Sequence, residues 1–365
     1  MDWREIYRQK LTTAEEAVRH IPNGSRIVIS HAMGEPYHVV NVMTENYKQY
    51  RGLEVVHWVN FGECAYTRPQ MDGHIRLNAL FAGPNSRKAV EENLADFTPA
   101  FFSMTPHWFS DGTLPPDVAL ISVSTPDRHG YVSLGVSVCA TKPAVLAAKI
   151  VIAQVNDQMP RTHGDSFLHV SKLTHIVEHS EPLKELPRAE IGEIEQKIGA
   201  YCASLVEDGS TLQLGIGSLP DAVLANLTDK KDLGIHSEMF SDGVVDLVER
   251  GVITGERKSI NHGKITVGFL MGTRRLYDFV DDNPLVQMLP ITYVNDPCVI
   301  MQNYRANQAK IHWHNRYRPQ LAYRDSYCSC FACHNCAFDW LNWCKQCRCD
   351  MRRDFCQYCY AKVIV

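Results

Sequence analysis

The residues best suited to chemistry lie in two short segments of the second half of the chain. The first, at 213–217, reads Gln-Leu-Gly-Ile-Gly and is followed by Pro220. Glycine lets a backbone approach a ligand closely, and the N-terminus of a helix offers free N–H groups to an anion. We expect a strand to end here in a glycine turn, with the proline at the first position of the next helix. The same pattern also suits a tight turn that binds nothing.

The second segment places a carboxylate among apolar and small residues. It reads Gly-Ile-His-Ser-Glu-Met at 234–239, and its acidic residue is Glu238. We expect Glu238 to follow a strand directly, at the carboxyl edge of a sheet, where open α/β folds form their ligand crevices. A carboxylate in such a crevice can act as a nucleophile toward an acyl group. From the residues alone, an exposed loop glutamate with no chemical role is the commoner outcome.

The elements that would position these segments alternate along residues 11–300. Nearly continuous apolar runs rich in β-branched residues predict strands at 25–30, 53–59, 117–123 and 148–155. Such strands suit a parallel sheet that is covered on both faces. Amphipathic stretches between them predict helices, among them 13–19, whose Thr-x-x-Glu start resembles a capping box. This alternation predicts an α/β fold.

The chain divides into three predicted parts. Two prolines flank a polar segment at 181–187, and after it the order of helix, Gly-Ser turn and strand found near the N-terminus starts again. We therefore predict two similar open α/β domains, at 1–185 and 186–303, the second of them incomplete. Residues 304–365 contain no glycine and nine of the thirteen cysteines, and they show no periodicity of a strand or a helix. We expect this Cys-rich tail not to be a native domain.

Composition and charge exclude several classes of protein. The net charge of −4 predicts no general attraction to nucleic acid or to an anionic membrane. The apolar runs are too short to span a membrane, and the charged start at 1–5 lacks the pattern of a signal peptide. We therefore expect a cytoplasmic protein with reduced thiols. An odd number of cysteines without an export signal also argues against a disulfide framework.

Longer motifs, taken in their order along the chain, carry a resemblance to a known family. They are Pro126-Asp127-x-x-Gly130, Gln154-Val155-Asn156-Asp157-Gln158, Glu207 to Gly217, Gly234 to Met239, and Phe269-Leu270-Met271-Gly272-Thr273. On these motifs residues 1–303 resemble the acetyl-CoA hydrolase/transferase family, and within it the 4-hydroxybutyrate CoA-transferase branch. The resemblance implies two similar domains of the CoA-transferase type with the active site between them.

The resemblance also implies an activity and the residues that perform it. Glu238 stands at the family's nucleophile position, so the chain is expected to move coenzyme A between acetyl-CoA and a short carboxylic acid, 4-hydroxybutyrate above all, through a glutamyl-CoA thioester. The family's contacts with CoA fall on Gln213, Leu214, Gly215, Ile216 and Gly217. CoA is a substrate, and we expect no cofactor and no metal. Homo-oligomers are expected, and acetyl-CoA hydrolysis is the alternative activity.

The sequence departs from the family after about residue 303. Members continue with a glycine-rich loop that helps to bind CoA, and the chain has no such loop. Three interpretations of the tail stay open: out-of-frame translation, a zinc-binding appendage built from its Cys-x-x-Cys pairs, or an interaction segment without fixed structure. The incomplete second domain also leaves an inactive homologue as an alternative, because unpaired sheet edges disfavour folding.

Overall fold

The computed structural model describes residues 2–303 and 309–311, and these form alternating strands and helices. The strands are β1 Arg26–Ile29, β2 Leu53–His57, β3 Ile75–Ala79, β4 Ala95–Phe97, β5 Val118–Val123, β6 Tyr131–Ser133, β7 Ile150–Val155, β8 His163–Gly164, β9 Phe167–His169, β10 His175–Glu178, β11 Thr211–Leu214, β12 Gly234–Phe240, β13 Ile265–Leu270, β14 Val286–Met288 and β15 Ala309–Ile311. The helices are α1 Trp3–Lys10, α2 Ala14–Arg19, α3 Tyr37–Glu45, α4 Arg87–Glu91, α5 Thr105–Ser110, α6 Thr141–Ala147, α7 Glu193–Ser204, α8 Ser218–Ala225, α9 Asp242–Glu249, α10 Arg274–Val280, α11 Ile291–Val294 and α12 Pro297–Ile300. The predicted α/β class is confirmed.

Local sequence signals explain several of these elements. The four apolar runs singled out above form β1, β2, β5 and β7, and all six residues of β5 are buried. Helix α2 begins after Thr13, whose hydroxyl accepts a hydrogen bond from the Glu16 N–H at 3.2 Å. This is the N-cap half of the predicted capping box. Pro220 is the third residue of α8 rather than the first, a position whose N–H also has no partner within a helix.

The first large sheet has seven parallel strands in the order β10-β7-β5-β1-β2-β3-β4. Strands that follow β1 in the chain extend the sheet in one direction as far as β4, and β5 then continues it on the other side of β1. The order therefore reverses between β1 and β5. In open α/β sheets such a switch point forms a crevice at the carboxyl ends of the strands.

The second large sheet has six parallel strands in the order β15-β11-β12-β13-β14-β8. Its order reverses between β11 and β15, so the residues that follow β11 lie at its switch point. The outer strand, β8, comes from the first half of the chain and pairs His163 with Gln287 and Gly164 with Met288. No sequence pattern predicts this pairing, because a two-residue strand has no detectable periodicity.

A segment after β6 docks against the second sheet and joins the two halves. The Val138 and Cys139 N–H groups both donate to the Gly268 carbonyl, at 3.1 and 3.0 Å, and the Leu270 N–H donates to the Val136 carbonyl at 2.9 Å. Side chains from both halves share one continuous apolar core, in which Val136, Val138 and Phe269 are buried. The predicted boundary at 185/186 stays a prediction.

The predictions about membrane spans and about the Cys-rich tail can be compared with the structure only within the described residues. Every helix in 2–303 is too short or too polar to cross a lipid bilayer. The Cys-rich tail, 304–365, lies outside the described residues apart from the backbone of β15, so the three interpretations of it stay open.

Candidate active site

The predicted nucleophile lies at a β-bulge. Along β13 the pairing of β12 is regular, with Ser237 opposite Val267 and Met239 opposite Phe269. The pairing of β12 with β11 is irregular, because Leu212 pairs with Ile235 while Leu214 pairs with Met239. Four residue steps on β12 thus face two on β11. Bulges often re-aim a side chain beside an active site. Glu238 therefore lies within the strand, and the prediction that it follows the strand directly was wrong in this detail.

The Glu238 carboxylate is half-buried and is held by a side-chain amide. Asn295, at the C-terminal end of α11, donates from Nδ2 to Glu238 Oε2 at 2.5 Å. Asn295 itself is buried, and its Oδ1 has no hydrogen-bond partner among the described residues. Since an amide presents both donors and an acceptor, Asn295 can orient the carboxylate and still meet a polar group of a substrate.

A buried thiol lies close enough to interact with the charge of this carboxylate, and a buried imidazole contacts that thiol. Burial, with a smaller contribution from the charge of Glu238, raises the pKa of the Cys139 thiol to about 12. Burial lowers the pKa of His31 to about 3, and His31 Nδ1 lies 3.4 Å from Cys139 Sγ. Both groups are therefore neutral near pH 7. The Cys139 thiol is thus not in its nucleophilic thiolate form.

Aromatic rings form a wall around His31. The centroid of its ring lies 4.4 Å from that of Phe269, 5.1 Å from Phe102 and 6.1 Å from Trp58. His31 follows β1, so this wall stands at the switch point of the first sheet, while Phe269 comes from β13 of the second. Residues of both sheets thus meet in one apolar surface around His31. Such a surface excludes water and strengthens electrostatic interactions inside the site.

The glycine segment 213–217 lies at the other switch point, directly beside the bulge. Gln213 and Leu214 are the buried last residues of β11, whereas Ile216 and Gly217 are exposed. Gly217 has φ of +111°, which favours glycine, and it caps α8. Gln213 Oε1 is buried and has no partner among the described residues. The segment therefore offers the exposed backbone turn and helix N-terminus that the sequence predicted.

Close packing at one glycine brings the two halves together behind Glu238. A Cβ built on Gly268 would lie 3.1 Å from the Glu238 carbonyl oxygen, 3.3 Å from Ile291 Cδ1 and 3.4 Å from Cys139 Cβ. Any larger residue would push β12 and the docked segment apart. Gly268 thus sets the distance between Glu238 and the Cys139 side of the site.

The other possible sites among the described residues are a metal site and a separate cavity. No cluster of three or more histidine, cysteine, aspartate or glutamate side chains in the described ranges could hold a metal ion. A cavity of about 470 Å³ lies between α1 and the ends of β5, β7 and β10, and it is lined by Trp3, Arg4, Tyr7, Arg8, Thr125, Pro126, Val155, Asp157, Glu178 and Ser180. None of the predicted site residues lines it.

Comparison with known proteins identifies the family. The model of the acetyl-CoA hydrolase/transferase N-terminal domain matches residues 1–186, and that of the C-terminal domain matches residues 272–309. The chain belongs to the acetyl-CoA hydrolase/transferase family. A curated member, the 4-hydroxybutyrate coenzyme A transferase of Clostridium kluyveri, is 56% identical over 303 residues, which cover 83% of this chain and 71% of that protein.

Other members of the family support the same class of enzyme. The succinyl-CoA:acetate/propanoyl-CoA:succinate CoA transferase of Fasciola hepatica is 43% identical over 298 residues, covering 80% of this chain and 61% of that protein. The crystal structure of 4-hydroxybutyrate CoA-transferase from Porphyromonas gingivalis is similar with a TM-score of 0.76 at 38% identity, covering 85% of this chain and 74% of that one. The chain thus has the CoA-transferase fold and is of the CoA-transferase type, and it spans 61–74% of the length of these relatives.

Three side chains of this region were not predicted from the sequence. Asn295 lies 57 residues further along the chain, and Cys139 and His31 belong to the first half. A family alignment or the strand order would have been needed to find them, since nothing in their local sequence marks a site. The Asp-Pro that follows Asn295 does predict a helix start, and α12 begins there.

Proposed function

We propose that the chain moves CoA between acetyl-CoA and a short carboxylic acid, with 4-hydroxybutyrate as the acceptor, through a glutamyl-CoA thioester on Glu238. One observation carries the proposal: Glu238 lies at the bulge of β12 beside the glycine segment, and its carboxylate accepts a hydrogen bond from the Asn295 amide. The 56% identity to a 4-hydroxybutyrate coenzyme A transferase supports the choice of acceptor.

The first half-reaction would proceed by two attacks. A carboxylate oxygen of Glu238 attacks the thioester carbonyl carbon of acetyl-CoA, and CoA leaves as its thiolate, which gives a mixed anhydride of acetate and glutamate. The thiolate then attacks the glutamyl carbonyl carbon and expels acetate. The product is a glutamyl-CoA thioester, and no proton is consumed overall. Because the half-reaction exchanges one thioester for another, it is not strongly downhill as a whole.

The second half-reaction would reverse this order with another acid. The carboxylate of 4-hydroxybutyrate attacks the glutamyl thioester, CoA thiolate leaves, and the thiolate then attacks the carbonyl carbon of the bound acid. This releases 4-hydroxybutyryl-CoA and restores the Glu238 carboxylate. Asn295 Nδ2 is placed to keep one oxygen of Glu238 fixed while the other reacts. A donor aimed at developing negative charge typically contributes about 2.7–4 kcal/mol to such a step.

Exclusion of water would separate transfer from hydrolysis. The glutamyl thioester reacts with water whenever water reaches it, and the enzyme would then act as an acetyl-CoA hydrolase. The rings of Trp58 and Phe269 are buried around His31, and in this scheme we expect them to reduce that access. The neutral Cys139 thiol does not compete as a nucleophile.

Mass analysis after chemical trapping tests the proposal. The protein is incubated with acetyl-CoA and then with borohydride, which reduces a glutamyl thioester to an alcohol. We expect this alcohol on the peptide that contains Glu238, and we expect it to be lost in Glu238→Gln and kept in Glu193→Gln, an exposed glutamate at the start of α7. A folded protein whose Glu238 peptide stays unmodified would contradict the covalent mechanism.

The acceptor is tested by product analysis. Acetyl-CoA is incubated with and without 4-hydroxybutyrate, and the CoA esters are separated. Formation of 4-hydroxybutyryl-CoA that depends on the acid supports transfer. Loss of acetyl-CoA at the same rate in both samples, with free CoA as the product, would instead indicate the hydrolase.

A further inference from the structure

The hydroxyl of Ser237 occupies the bulge next to Glu238. Ser237 is fully buried, and its Oγ accepts a hydrogen bond from the Leu214 N–H at 2.9 Å. The same oxygen lies 2.7 Å from the Met239 carbonyl oxygen and 3.1 Å from that of Leu214. A hydroxyl has one hydrogen, so it donates best to the nearer carbonyl, on Met239. One side chain thereby joins the end of β11 to both sides of the bulge.

These bonds replace backbone pairing that the bulge removes. A bulge leaves its extra residues out of the ladder, and a buried N–H without a partner is costly. Here the N–H concerned belongs to Leu214, the residue directly before Gly215, and the hydroxyl belongs to the residue directly before Glu238. The hydrogen bond thus links the backbone immediately before Gly215 to the residue immediately before Glu238.

We propose that Ser237 is a positioning residue that fixes the glycine segment 213–217 relative to the Glu238 carboxylate. The inference rests on the proposed function, in which the segment holds CoA while Glu238 attacks the thioester. Attack requires reacting atoms held about 3–3.5 Å apart, and a displacement of about 1 Å can lower the rate about 100-fold. Ser237 touches neither substrate in this scheme and acts through the position of the two segments.

A matched serine separates positioning from stability. Ser133, at the end of β6, is also fully buried, and its Oγ accepts from the Gly135 and Thr162 N–H groups, both at 3.1 Å. Ser237→Ala and Ser133→Ala therefore remove the same chemical group from similar surroundings. We expect both variants to lose thermal stability, but only Ser237→Ala to lose about 100-fold in kcat/KM. Ser237→Cys should recover part of that loss, because a thiol is a weak donor and acceptor.

Hydrogen exchange gives a second readout that needs no catalysis. Peptides that contain residues 214–217 should exchange faster in Ser237→Ala than in the unsubstituted protein, and Ser133→Ala should leave them unchanged. If exchange in these peptides is unchanged, or if kcat/KM falls equally in both variants, Ser237 does not position the segment. If the unsubstituted protein transfers no acyl group, the proposed function fails, and the exchange data still decide the inference.

Discussion

Asn295 donates its side-chain amide to the Glu238 carboxylate at 2.5 Å, and the two residues come from different elements. Asn295 ends helix α11, and Glu238 sits in the bulge of β12. A Glu side chain has three torsions, and a hydrogen bond to its carboxylate restricts them. The bond therefore selects one orientation of the group on which the proposed chemistry depends.

Asn295→Ala should lower acyl transfer strongly without unfolding the protein. Loss of one donor to an oxygen on which negative charge develops typically lowers kcat about 100- to 1000-fold. Asn226 is a matched control, because it also follows a helix, α8, and donates its side-chain amide, to the Ala222 carbonyl at 2.8 Å. We expect Asn226→Ala to keep its kcat. Steady-state kinetics with acetyl-CoA and 4-hydroxybutyrate would measure both, and equal losses in the two variants would refute the role of Asn295.

Cys139 should be dispensable for the covalent step and slow to react with alkylating reagents. Its pKa of about 12, raised mainly by burial, leaves almost no thiolate near neutral pH, and the thiolate is the form that reacts. We expect iodoacetamide to leave Cys139 unmodified in the folded protein and to modify it in denaturant. Cys139→Ala should still form the adduct on Glu238. An adduct on Cys139 instead would show that the thiol is the nucleophile.

Gly268→Ala should impair the site by crowding alone. The added Cβ would meet the Glu238 carbonyl oxygen at 3.1 Å, so β12 must shift by a few tenths of an ångström. We expect kcat/KM to fall roughly tenfold, since small displacements of reacting groups already slow a reaction. Gly83→Ala is the control, because its nearest neighbour would be Val59 Cγ1 at an ordinary 3.8 Å. If both variants keep full activity, Gly268 does not set the geometry.

Glu35 should make stability depend on pH. Burial raises the pKa of this carboxyl from 4.5 to about 7, although the Gly62 N–H donates to its Oε2 at 2.8 Å. Between pH 4.5 and 7 the folded protein therefore binds a proton that the unfolded chain has released. The free energy of unfolding must fall as the pH rises through this window, by on the order of 3 kcal/mol for a shift of this size.

Glu35→Gln removes that titration and should remove its contribution to the pH dependence of the free energy of unfolding. Urea unfolding at several pH values would give the free energy of unfolding of the unsubstituted protein and of the variant. We expect their difference to change between pH 4.5 and 7 and to be constant above it. Glu45→Gln, an exposed position at the end of α3, is the control and should follow the unsubstituted protein. Parallel profiles for Glu35→Gln would contradict the prediction.

The sequence predicts helices, strands and turns better than it predicts which distant residues contact them. The apolar runs behind β1, β2, β5 and β7 and the glycine turn at 213–217 are local patterns, so their physical causes lie within a few residues. The bulge at Glu238 is not local, because it depends on a mismatch between β12 and its neighbour β11. Asn295 and Cys139 come close to Glu238 only through sheet order and docking, which no short window of sequence contains.

The exchanged strand β8 has a consequence for the order in which the protein acquires its structure. His163 and Gly164 complete the outer edge of a sheet whose other strands begin at Thr211, so this edge closes only by an association between distant parts of the chain. Such distant pairing is slow to form. Residues 163–164 emerge first during translation and must wait for β14. A fragment that starts after them would present β14 as a bare edge to other chains, and such edges promote aggregation.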